Sequence, residues 1–101
     1  MKLITEHLQK RFAEIGSQSE DLNPLIIAKF FNPIGGQTWY ASEYNSQTRI
    51  CFGYVTGMMH DEWGYFSIDE MESIVLPFEL TIERDTYFEE IRFNDLKKSL
   101  Q

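Results

Sequence analysis

Between residues 25 and 66 the chain is cut by turn residues at short, regular intervals, and this punctuation limits the fold more than any other feature. The apolar run Leu25–Phe31 ends at Asn32-Pro33-Ile34-Gly35-Gly36, and a second run, Gln37–Tyr44, ends at Asn45-Ser46-Gln47. Arg49–Val55 leads into the connection Gly57–Asp61, after which Glu62–Phe66 closes the series. Short runs rich in Ile, Val, Phe, Tyr and Trp favour strands, and Asn, Pro and Gly turn the chain back on itself. Parallel pairing would need a crossover of roughly a dozen residues, which these links do not provide. Three to four consecutive strands in an antiparallel meander are predicted.

Helical signals flank the meander. Thr5 is placed to cap a helix over residues 5–15, in which Leu8, Phe12 and Ile15 recur on one side and Gly16 provides the stop. Ser17–Pro24 is polar and breaker-rich, a loop. Ser67-Ile68-Asp69-Glu70 fits a capping box, opening a helix with Ile68, Met71, Ile74 and Val75 on its apolar side that stops before Pro77. Glu79–Arg84 alternates as a strand with one wet face, residues 85–93 are irregular or extended, and Asn94 is placed to cap a short helix over Asp95–Leu100. The order predicts an α+β fold, with a mostly antiparallel sheet of about five strands and two to three helices mainly on one face. One domain spans residues 1–101, and 15% aromatic residues supply large side chains for its core.

The formal charge is −7 and the pI near 4.7. Such a chain is a poor ligand for nucleic-acid phosphates or an anionic membrane, and its favoured partner is a basic protein. The acidity is local. Asp61, Glu62, Asp69, Glu70, Glu72, Glu79, Glu83, Asp85, Glu89 and Glu90 stand against Arg84 alone, a balance of −9 that leaves +2 elsewhere. These ten carboxylates form the candidate partner-binding face, able to occupy a nucleic-acid-binding groove by standing in for phosphates. The single cysteine, Cys51, excludes an internal disulfide and fits a reducing compartment. The N-terminal segment lacks the apolar stretch of a signal peptide and no run is long enough to span a membrane, so a cytoplasmic location is expected.

Chemical motifs are sparse. Gly35-Gly36 leads into a strand rather than a helix, which marks a hairpin turn and not a phosphate loop. His60-Asp61-Glu62 has no further ligands at metal-binding spacing, and Cys51, between Ile50 and Phe52, has no partner base, so neither a metal, a cofactor nor a catalytic residue is assigned. Arg84, between Glu83 and Asp85, is expected to tie strand to loop, or else to orient an anionic group near Lys29. Strand alternation puts Trp39, Ala41 and Glu43 on one face and Tyr40, Ser42 and Tyr44 on the other, leaving one aromatic set exposed or only half covered. Trp39, Tyr40 and Tyr65 are therefore candidate aromatic anchors for a partner.

Several of these residues together carry a resemblance. Lys29-Phe30-Phe31 with Pro33, Trp39-Tyr40 with Glu43, Phe52-Gly53, Glu62 with Gly64-Tyr65-Phe66-Ser67 and Glu70, and Glu83-Arg84-Asp85 with Phe88 resemble the bacterial domain of unknown function 2958 family. The resemblance runs from about residue 3 to the mid-90s; the C-terminal end is longer, and the Gly57–Asp61 connection carries two methionines. It implies a small cytosolic protein carried on plasmids, phages or other mobile elements, with no established reaction. The expectation is a non-enzymatic interaction protein that binds, and inhibits, a basic nucleic-acid-processing or defence protein. The alternative is a ligand-binding domain or enzyme whose polar pocket gathers Lys29, Glu43, Tyr65, Glu83 and Arg84. A structural module or homodimer, joined through an exposed sheet edge or an aromatic patch, is a third arrangement.

Overall fold

The computed structural model describes residues 1–101. The turn punctuation yields the meander it predicts: β2 (Ala28–Phe31), β3 (Thr38–Asn45), β4 (Ile50–Thr56) and β5 (Glu62–Ser67) follow one another antiparallel. The two-residue β6 (Glu83–Arg84) pairs with β2, completing a five-stranded sheet of order β5-β4-β3-β2-β6. A separate ladder joins β1 (Leu25–Ile26) to β7 (Ile91–Arg92). With α1 (Glu6–Ile15), α2 (Ile68–Ser73) and α3 (Phe93–Ser99), the chain has the α+β architecture expected from its sequence.

The turns form for local reasons. Asn32 Oδ1 accepts hydrogen bonds from the amides of Ile34 and Gly35, each at 2.9 Å, and Asn45 Oδ1 accepts from Gln47 and Thr48. Gly57 has φ +84°, and a side chain on it would run into the Gly36 carbonyl, so the two hairpin ends meet only because this residue is glycine. Thr5 Oγ1 accepts from the Leu8 amide at 3.1 Å and Gly16, at φ +69°, closes α1. Ser67 Oγ accepts from the Glu70 amide at 3.2 Å and opens α2.

Four boundaries differ from the sequence expectation. The run Leu25–Phe31 is not one strand, because the Gln18 side chain accepts from the Leu25 amide and donates to its carbonyl. That glutamine takes the place of a neighbouring strand, and Leu25–Ile26 diverges toward β7. Helix α2 ends at Ser73, whose hydroxyl donates to the Glu70 carbonyl at 2.7 Å in competition with the helical ladder. Ile74 and Val75 thus lie beyond the helix. The expected strand Glu79–Arg84 shrinks to its last two residues. Pro77–Glu79 is a 3₁₀ turn with Phe78 and Glu79 in the left-handed region, and the Leu76 amide bonds to the Leu80 carbonyl. Finally, Asn94 is inside α3 rather than capping it; Pro24 O and Asn23 Oδ1 receive the amides of Phe93 and Asn94.

Both faces of the sheet are covered. On the first, α1 and α2 bury Phe30, Trp39, Ala41 and Cys51 together with Leu3, Phe12, Ile68, Met71 and Ile82. On the second, α3 brings Phe93 and Leu96 against Ile26 and Tyr40, with Tyr54 and Trp63 alongside. Phe93 packs on Trp63 at 4.7 Å and on Tyr54 at 4.9 Å between ring centroids. Two of the three helices thus share one face, and the short third one closes the other. No helix is long and apolar enough to cross a membrane.

Candidate functional site

Strand β3 carries the residues on which the expected aromatic anchors depend, and its register is broken once. Ala41 pairs with Gly53 but Glu43 pairs with Phe52, so Ser42 is the extra residue of a bulge. Beyond it the alternation reverses. Glu43 lies on the Tyr40 face and Tyr44 joins Trp39 and Ala41, packing on Phe12 at 5.7 Å. Because both faces are covered, Trp39 is 7% and Tyr40 5% exposed. Neither is an anchor available to a partner; they are core residues. Tyr65, at 79% exposure, is accessible and rests on Phe52 at 4.9 Å.

The ten carboxylates separate into two groups. Asp69 and Glu72 both hold Arg49, at 2.6 and 2.7 Å, fastening α2 to the β3–β4 turn. Asp85 pairs with Lys29 at 3.5 Å, and Glu90 takes Arg11 at 2.8 Å across α1. The Arg11 hydrogen bonds hold the Glu90 carboxyl below the usual range. These four are internal ties. Asp61, Glu62, Glu70, Glu79, Glu83 and Glu89 have no ion-pair partner in the fold; Asp61 accepts only the Gly57 amide, at 3.2 Å.

The pocket envisaged around Lys29, Glu43, Tyr65, Glu83 and Arg84 does not assemble. Lys29, Glu83 and Arg84 line a shallow cleft of about 360 Å³. Glu43 and Tyr65 line another, of about 690 Å³, that shares no residue with it. Arg84 also holds no carboxylate: its Nη1 donates to the carbonyls of Lys2 and Leu3 at 2.8 and 3.2 Å, tying the N-terminal segment to β6. Glu43 accepts the Gln18 amide at 3.1 Å and anchors the loop over residues 17–24. Cys51 is enclosed in the first core, and burial pushes its thiol up to about 12, far from a thiolate at neutral pH. No three His, Cys, Asp or Glu side chains gather closely enough to hold a metal ion.

A further hollow, which the sequence reasoning did not identify, lies beside β5. Its volume is about 640 Å³, within the range of small-molecule and peptide sites. Gly64 and its pair Gly53 have no side chains on the first face, so the space between Glu62 and Phe66 is open down to Trp39 and Val55. Met71 and Ile74 wall it from the α2 side, and Met58 and Met59 from the β4–β5 connection, with Met59 91% exposed. Glu62 and Glu70 stand in the same lining, which contains no lysine or arginine. The sequence signal for this hollow is a glycine in mid-strand beside two methionines.

A family model described as protein of unknown function (DUF2958) matches residues 3–94. No curated protein and no solved structure matches the chain.

Proposed function

We propose that this chain, which belongs to the domain of unknown function 2958 family, works as a small acidic interaction protein without catalytic turnover. Its partner is a basic nucleic-acid-processing or defence protein, and the setting is a plasmid, phage or other mobile element. The observation that carries this reading is the division of the carboxylates. Four are neutralised within the fold, whereas Asp61, Glu62, Glu70, Glu79, Glu83 and Glu89 keep their charge for an external cation. Glu62 and Glu70 share the β5 hollow with exposed methionines, which brings apolar contact area and negative charge together. The ligand-binding alternative loses its geometry, because its residues divide between two separate clefts.

Capture from a bacterial lysate at low salt, followed by calorimetry with the identified partner, tests the reading. Affinity is expected to fall at least about tenfold between roughly 50 and 500 mM salt, since exposed charges are screened. Equal affinity at both salt concentrations, or a partner surface that is not basic, would overturn it.

A further inference from the structure

Strand β5 is an edge of the sheet, six residues long, and apart from the charge of Glu62 it lacks the features that usually protect an edge. Glu62-Trp63-Gly64-Tyr65-Phe66-Ser67 contains no proline and no lysine, and its pairing with β4 is free of bulges. The direction of its free backbone groups follows from one hydrogen bond. The Ile68 amide donates to the Arg49 carbonyl at 2.9 Å, which makes the neighbouring pair Ser67–Ile50 non-hydrogen-bonded. By alternation, Tyr65–Phe52 and Trp63–Tyr54 are also non-hydrogen-bonded pairs, so the amides and carbonyls of Trp63 and Tyr65 point away from the sheet. The hollow above Gly64 lies directly beside them.

Resting on the reading of an acidic interaction protein, we propose that β5 receives an extended segment of the partner as a sixth strand. The segment's backbone pairs with Trp63 and Tyr65, and one large apolar side chain fills the hollow above Gly64 between Met59, Met71 and Ile74. Side chains two positions apart on a strand share a face. A lysine or arginine two residues from the apolar one therefore stands opposite Glu62, with Glu70 within the same rim. Strand addition of this kind draws affinity from main-chain bonds and selectivity from alternate side chains. Charge argues for this occupant over a second copy of the chain, which also carries a net charge of −7 and whose own β5 offers no lysine or arginine to Glu62 and Glu70.

The test uses a displayed library of extended heptapeptides, with Leu, Met, Phe or Trp fixed at the centre and the other positions random. Binders are expected to concentrate Lys or Arg two positions from the centre. Their affinity should fall at least about tenfold in Tyr65→Pro, which removes an outward amide not used in pairing with β4, and likewise in Gly64→Trp, which fills the hollow. Binding should slow amide exchange at Trp63 and Tyr65. Selected peptides without a basic preference, or binding unchanged in both variants, would overturn strand addition. So would a dimer of the protein alone, seen in sedimentation and lost in Tyr65→Pro. If both variants keep the salt-sensitive partner while Glu62→Lys and Glu70→Lys lose it, the acidic-surface reading survives and strand addition fails. A partner bound with no salt dependence removes the wider reading instead.

Discussion

The two edges of the sheet are treated in opposite ways. At β6 the edge is two residues long, and the chain covers it with its own N-terminus. Arg84 holds the Lys2 and Leu3 carbonyls, and the Met1 sulfur accepts the Arg84 amide. Lys29 is paired with Asp85 beside it. At β5 the edge is six residues long, nothing in the chain covers it, and its backbone groups face outward beside an apolar hollow. A sheet edge left open is an aggregation hazard, so leaving one open while closing the other favours a use for the open one. Charge differs as well: beside β6 Asp85 holds Lys29, although Glu83 is unpaired, whereas neither Glu62 nor Glu70 at β5 holds a cation.

The sharpest way to break this comparison is through the glycine pair that spans the open side. Adding a methyl group in Gly53→Ala drives it into the Tyr40 carbonyl, forcing β3 and β4 apart at the sheet centre. A loss of about 3 kcal/mol is expected in chemical denaturation, as for other overpacked interiors. At the closed edge, Arg84→Ala should cost about 1–2 kcal/mol, because two charge-assisted hydrogen bonds to carbonyls disappear. The same variant should speed amide exchange in residues 2–4 while leaving β5 unchanged.

Acid tests the tie between Glu90 and Arg11. The folded-state pKa of Glu90 lies below its unfolded value, so its contribution is complete above that value, about pH 4.3, and fades as pH falls further. Denaturation midpoints should therefore drop with acid below about pH 4.3, and less steeply in Glu90→Gln. The smallest effect is expected at Gly64→Ala. No atom stands within 4 Å of the added methyl group, and replacing a strand glycine should stabilise the protein by no more than roughly 0.5 kcal/mol. A loss as large as that of Gly53→Ala would show that the hollow is not open.

Local chemistry made much of the fold legible in the sequence. The asparagines at 32 and 45 bind their own turn amides, Thr5 and Ser67 cap the helices they precede, and Gly16 ends α1 in the left-handed region. Each of these contacts lies within a few residues of its cause. The candidate site was less legible. An alternating strand has two faces, and a single core leaves either Trp39 or Tyr40 exposed or half covered. Phe93 and Leu96, more than fifty positions away, bury the second face. The bulge at Ser42 was invisible because no glycine or proline marks it, and it moved Glu43 to the face where it binds Gln18.

What the sequence determined by itself was the meander, the N-terminal caps of α1 and α2 and the amount and location of negative charge, because turns and caps are short-range competitions for backbone hydrogen bonds. The tertiary structure alone decided which charges are available. Arg11 reaches Glu90 across 79 positions and Arg49 reaches Glu72 across 23, pairings that loop closure and packing select and that no local pattern encodes. It also decided which edge stayed open, because the N-terminal segment can lie along only one side of a five-stranded sheet.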